Sequence, residues 1–189
     1  LSPGVDLAQL ERYGGRVEFI SVDGDLKEAV LWLGAGEQGL TATLLTGYET
    51  YHWAAGELPD KQPLSEPRGW LVEPDPALLR AGLVEAVAAQ FDGGLLDETI
   101  AYLTTDLKPE SPWLRSWQIL DWMPFNLKQL RGYLRERNVG QVTVKKRGTA
   151  VTPETLIPQL KLKGRDSRVL ILTRCKGQQI VMICADYVG

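Results

Sequence analysis

The sequence predicts an α+β protein in two parts, and three observations carry that prediction. Residues 16–33 read as two strands around an Asp23-Gly24 turn. Pro59, Pro63 and Pro67 punctuate a polar stretch that reads as a linker over residues 59–69. Residues 117–185 read strand, helix, strand, helix, strand, strand, a compact unit common among RNA- and DNA-binding folds but not restricted to them.

Each element has a local reason. Arg16–Val22 and Lys27–Leu33 alternate as strands, and Leu40–Leu45 reads as a third. Asp75-Pro76 is an N-cap followed by proline at the first helical position; Leu79, Leu83, Val84, Val87, Ala88 and Phe91 then recur at helical spacing until Gly93-Gly94. Thr99–Thr104 reads as a short strand and Trp113–Met123 as an extended segment, its part from Trp117 opening the second unit. Pro124–Arg137 is a helix with Leu127, Leu130 and Leu134 on one face. Gln141–Lys146 is a strand, and Thr152-Pro153-Glu154 starts a short helix that ends near Leu160. Arg168–Arg174 and Gln179–Ala185 are strands joined at Lys176-Gly177. That register sets Cys175 opposite Gln178 and Cys184 opposite Val169, too far apart along the ladder for a disulfide.

Composition narrows the function classes. A chain of 189 residues, 44% hydrophobic, suits one domain, or a small domain with a fragment of another. It has no apolar run long enough to span a membrane, and its opening Leu1-Ser2-Pro3-Gly4 does not read as a signal peptide. It opens on Leu1 rather than Met, which suggests further sequence upstream. Two unpaired cysteines suit a reducing, cytoplasmic setting. With one histidine, His52, the sequence predicts no zinc site. The net charge of −3 conceals a division: residues 1–125 carry 20 acidic and 8 basic side chains, residues 126–189 carry 4 and 13. Such a division points to a polyanion facing the C-terminal part, or to attraction between the two halves.

Two motifs compete for a ligand. Gly34-Ala35-Gly36-Glu37-Gln38-Gly39 follows a strand, with Glu57 at a plausible spacing for a ribose contact. A phosphate-binding loop must open a helix, however, and Leu40–Tyr51 reads as strand and turn, so the segment reads as a loop between strands. Lys145-Lys146-Arg147-Gly148 ends a strand and sets three cations beside a glycine, suited to phosphates. Lys128, Arg131 and Arg135 form a basic stripe off the leucine face of the neighbouring helix; the bland alternative is a solvated charged face. Trp113, Trp117, Trp122 and Phe125 suit a core better than base stacking. The adjacent carboxylates Asp97 and Glu98 read as a solvated turn, Asp75 as a helix cap, and no nucleophile elbow or Walker-type loop is present.

Several stretches resemble a known family. Leu1-Ser2-Pro3-Gly4-Val5-Asp6, Ser21-Val22-Asp23-Gly24 and Glu28-Ala29-Val30-Leu31-Trp32 resemble the last strands of bacterial class I S-adenosylmethionine-dependent methyltransferases. Gly69-Trp70-Leu71, Glu73-Pro74-Asp75-Pro76-Ala77, Arg80-Ala81-Gly82, Ala101-Tyr102-Leu103-Thr104, Pro124-Phe125, Leu127-Lys128, Leu130-Arg131 and the stretch from Val139-Gly140 to Gly148 resemble the THUMP-like domain that follows them. The resemblance implies the antiparallel edge of a Rossmann-like methyltransferase sheet at residues 1–58, a linker at 59–69, and a THUMP-like domain with a β-α-β-α-β-β core at 70–189. It places the cofactor loop and the catalytic Asp/Asn-Pro-Pro motif upstream. S-adenosylmethionine then belongs to a parent protein and not to this chain, which has no catalytic residue. The implied partners are RNA and a missing N-terminal methyltransferase domain. Lys145, Lys146, Arg147 and Gly148, supported by Lys128, Arg131 and Arg135, are the expected RNA contacts. The rival is a structural or dimerisation module that touches no nucleic acid.

Overall fold

The computed structural model describes residues 1–34, 38–54, 59 and 61–186. The chain divides into two compact units: Leu1–Gln62 with Pro74–Asp92 and Glu110–Arg115, and Pro63–Glu73 with Gly93–Pro109 and Ser116–Gly189.

The first unit holds a four-stranded sheet in the order β2-β1-β3-β4, from β1 (Arg16–Val22), β2 (Asp25–Trp32), β3 (Gly39–Thr46) and β4 (Glu49–Ala54). The Asp23-Gly24 turn has positive φ at both residues, as a tight hairpin between twisted strands requires. β3 pairs with β1 in parallel and with β4 antiparallel. Residues 35–37 of the glycine segment, and Glu57, lie outside the described residues. The segment leads from β2 into β3, so the element that follows it is a strand and offers no helix N-terminus to a phosphate.

The helical segment within Pro74–Asp92 belongs to this first unit. Asp75 caps it, accepting from Ala77 N–H at 2.8 Å and from Ser21 Oγ of β1 at 2.6 Å. Arg80 donates to the Val5 carbonyl at 2.7 Å and lies over the Phe19 ring. The single helix expected here is two, α1 (Pro76–Arg80) and α2 (Val84–Gln90). Gly82, at φ +70°, turns the chain between them while Leu83 is fully buried.

The second unit is built on a seven-stranded sheet in the order β6-β7-β5-β8-β11-β10-β9. Its strands are β5 (Trp70–Pro74), β6 (Gly94–Asp97), β7 (Ile100–Thr105), β8 (Leu114–Pro124), β9 (Val139–Lys146), β10 (Asp166–Cys175) and β11 (Gln178–Cys184). α3 (Leu127–Glu136) follows β8, and α4 (Pro153–Leu160) joins β9 to its parallel neighbour β10. Asn126 caps α3 by accepting from Gln129 N–H at 3.0 Å, and Thr152 with Thr155 forms a capping box on α4.

Both faces of this sheet are covered. Leu130, Leu134, Leu156 and Leu160 of the helices pack on Leu170, Leu172, Val181 and Ile183. The alternate residues Val169, Ile171, Ile180 and Met182 face Leu71, Leu96, Ile100, Tyr102 and Trp117 on the other side. A strand buried on both faces reads as a continuous apolar run, as Val169–Leu172 does. The ladder pairs Val169 with Cys184 and Cys175 with Gln178, and both cysteines are buried free thiols. Burial pushes the Cys184 thiol up to about 12.

Asp97 differs from its expected place in a solvated turn: it is buried. Its carboxylate accepts from Thr99 N–H and Oγ and from Gly177 N–H at 2.7–3.0 Å, tying the β6–β7 turn to the β10–β11 turn. Burial alone pushes its pKa up. The Thr99 and Gly177 hydrogen bonds and the charge of Arg174 outweigh that and hold it below the ordinary value.

Candidate nucleic-acid interface

The Lys145–Gly148 motif does not act as one patch, because side chains on a strand alternate in direction. Lys145 and Arg147 turn to the face opposite the helices and meet Glu73 of β5, at 3.8 Å and 3.9 Å. The Lys145 ammonium lies 4.2 Å from the centre of the Trp117 ring, and the Arg147 guanidinium 5.1 Å from that of Tyr102. Both rings are buried, and each cation keeps only 36% of its side-chain surface exposed. Lys146 is exposed. Gly148 has a packing reason: a Cβ there would stand 2.3 Å from Ile100 Cδ1, while its carbonyl accepts from Gln179 Nε2 at 3.0 Å. Two of the three expected phosphate cations therefore already serve a carboxylate and an aromatic surface.

The helix stripe is different. Lys128 and Arg135 are exposed and Arg131 is half-buried. Arg131 and Arg135 line a cleft of about 190 Å³ with Asn138, Val139, Leu160, Lys161, Leu162, Lys163 and Gly164. Lys161 and Lys163 were not singled out in the sequence. Their signal is the alternation Lys161-Leu162-Lys163-Gly164-Arg165, which sends cations outward and Leu162 toward the helices' core. Lys161 ends α4 in the left-handed conformation and Asn138 follows α3 in the same one.

The floor of the cleft is fixed by backbone. Asn138 C=O accepts from Arg165 N–H at 2.8 Å and Asp166 N–H at 3.0 Å, and Gly164 N–H donates to Val139 C=O at 3.3 Å. A Cβ on Gly164 would stand 1.8 Å from the Asn138 carbonyl oxygen, and one on Gly140 1.9 Å from that of Gly164. Only glycines permit this approach.

The first unit holds a polar network that sequence reading missed. Glu18 is buried and accepts from Trp32 Nε1 at 2.7 Å and from Thr43 Oγ. Thr43 Oγ lies 2.8 Å from His52 Nδ1. The four residues sit one on each of the four neighbouring strands, and the hydrogen bonds satisfy an otherwise isolated carboxylate. Among the described residues no group of three or more His, Cys, Asp or Glu side chains is placed to hold a metal ion, and no helix is long and apolar enough to cross a membrane.

With this geometry in place, the comparisons locate the chain. Residues 114–186 match the family model described as THUMP domain-like. That stretch contains α3, β9, α4 and the cations of both the Lys145–Arg147 motif and the α3–α4 cleft. The chain is 32% identical over 179 residues to uncharacterized S-adenosylmethionine-dependent methyltransferases from two strains of Mycobacterium tuberculosis, covering 92% of this chain and 48% of each relative. It thus spans about half the length of these curated relatives. A crystal structure of a protein from Porphyromonas gingivalis assigned as a methyltransferase shares the fold, with a TM-score of 0.76 at 20% identity over 97% of this chain and 49% of that one. A Chlamydia trachomatis tRNA dimethylallyltransferase is 40% identical over 58 residues, 31% of this chain and 17% of its own length.

Proposed function

We propose that the chain is the target-recognition part of a cytoplasmic S-adenosylmethionine-dependent methyltransferase, and that the target is RNA. One observation carries the reading. Within the segment matched to the THUMP domain-like family, the helix side of the sheet presents Lys128, Arg131, Arg135, Lys161 and Lys163 with no carboxylate partner among the described residues. Unpaired cations on one face are the electrostatic footprint of a polyanion site. Of the residues expected from sequence, Lys128, Arg131, Arg135 and Lys146 contact RNA, while Lys145, Arg147 and Gly148 support the fold. The half of the relatives' length that this chain does not span supplies the methyl-transfer chemistry. Exposed Leu1, Tyr13, Trp32 and Leu33 on the first unit are consistent with a surface that the larger protein covers.

Binding of the full chain to bulk transfer RNA and to duplex DNA across a salt series tests the reading. RNA affinity that falls steeply with salt and exceeds that for DNA supports it. No salt-dependent binding to either leaves the chain a structural module.

A further inference from the structure

We propose that the cleft at the C-terminal ends of α3 and α4 seats a terminal phosphate of an RNA strand. This rests on the RNA-recognition reading and goes beyond it by naming the group that is recognised. Arg131, Arg135, Lys161 and Lys163 line one hollow of about 190 Å³, and its lining contains no Asp or Glu. Among the described residues none of the four side chains has a carboxylate or hydrogen-bond partner. The helix dipoles explain part of this, because cations are favoured where carbonyls end a helix. Each helix end contributes only about half a negative charge, so two ends leave a field of roughly three positive charges. Like charges held together around a recess repel, and a bound anion removes that cost.

The number of charges and the shape of the recess select the anion. An internal phosphodiester carries one negative charge, and its strand must continue on both sides. A terminal phosphate carries about −1.5 to −2 near neutral pH and offers three acceptor oxygens. Two guanidinium forks and two ammonium groups suit that group, and a small recess accepts a strand end better than a strand passing through. The glycine-dependent backbone contacts between Gly164 and Asn138 fix the floor, so the cations stand on rigid elements. Lys128 and Lys146 lie outside the lining and are left for the phosphates that follow along the strand.

The test measures binding of the full chain to one short single-stranded RNA in three forms: 5′-phosphorylated, 3′-phosphorylated and with both ends hydroxyl. Inorganic pyrophosphate serves as competitor. One phosphorylated form should bind roughly tenfold tighter than the hydroxyl form. Pyrophosphate should reduce that form to the hydroxyl level. The double variant Arg135→Gln with Lys163→Gln changes two exposed side chains and should erase the difference while circular dichroism stays unchanged. RNA binding that is salt-dependent but indifferent to all three end groups overturns the terminal-phosphate inference and leaves the RNA reading standing. Pyrophosphate binding lost in the double variant, without any RNA binding, supports an anion seat and removes the RNA reading. Absence of both overturns both.

Discussion

Lys145 and Arg147 on β9 and the four cations around the α3–α4 cleft belong to the same strongly basic stretch, yet they do different work. The first pair is held by Glu73 and rests on Trp117 and Tyr102. The second group has no carboxylate in the lining of its cleft. Formal charge is equal in kind at both places; available charge is not. The deciding residue, Glu73, is far away in sequence and arrives through the sheet, so a count of lysines and arginines locates a basic region but not its binding face.

The largest effect should come from the floor of the cleft. Gly164→Ala sets a Cβ against backbone, which cannot turn aside as a side chain can, and should cost about 3 kcal/mol. Gly148→Ala meets the end of the Ile100 side chain and should cost less, although its φ of +73° adds strain. Urea denaturation of the two variants compares them directly; equal stability for Gly164→Ala and the parent would mean that the floor is not rigid.

A second, smaller effect tests the Glu73 side. Glu73→Gln leaves two half-buried cations without their carboxylate, at a cost of about 1–3 kcal/mol, between the values for exposed and buried pairs. The melting temperature should fall by roughly 3–10 °C. Adding Lys145→Met and Arg147→Met to Glu73→Gln should recover much of the loss, because apolar replacements remove the unpaired charges. A triple variant no more stable than the single one would show that the ion pairs are not what Glu73 contributes.

The third comparison is functional. Removing Arg131 and Arg135 should flatten the salt slope of RNA binding by up to about 1.4, near 0.7 for each contact on a single strand. Removing Lys145 and Arg147 should leave the slope unchanged in any variant that stays folded. A slope that changes equally in both pairs would return the Lys145–Gly148 motif to the interface.

These contrasts also show what was legible in the sequence. β10 and β11, with their register, were readable because apolar runs flank a two-residue turn. α4 was readable from its cap and α3 from its leucine spacing, although α3 begins at Leu127, capped by Asn126, and Pro124 still belongs to the strand before it. The break at Gly82 was hidden because Leu79, Leu83 and Val87 keep helical spacing across it. The parallel pairing of β1 with β3 and the burial of Asp97 depend on partners that no local pattern names. The placing of the cations was half legible: the α3 stripe follows from helical periodicity, whereas the splitting of Lys145 and Arg147 from Lys146 needs the strand's two faces and Glu73. Lys161 and Lys163 were overlooked because their signal, the alternation from Lys161 to Arg165, runs for only five residues.

The smallest expected effect separates the cleft from the rest of the fold by pH. The second ionisation of a terminal phosphate lies near pH 6, so lowering the pH from about 7.5 to about 5.5 removes most of its second charge. Lysine and arginine stay charged throughout, and the cleft lining has no carboxylate to titrate. If the seat reads both charges, the advantage of phosphorylated over hydroxyl RNA should shrink by up to about fourfold across that interval. The fold should not change with it, and the signs can be worked out from two carboxyls. Asp97 has a depressed folded pKa, so its stabilising contribution is present above its unfolded value near 3.9 and is lost only as pH falls through the lower folded value. Asp75 has a raised folded pKa, chiefly from burial, against hydrogen bonds from Ser21 and Ala77 and the charge of Arg115. A raised carboxyl binds its proton more tightly when folded, so acidification toward 5.5 favours the folded state there. Neither group weakens the fold in the interval. Titrations of both RNA forms at the two pH values, with far-UV circular dichroism at each, make the test. An advantage that persists undiminished at the lower pH would mean that one negative charge suffices, and the cleft would then hold an internal phosphate as readily as a terminal one.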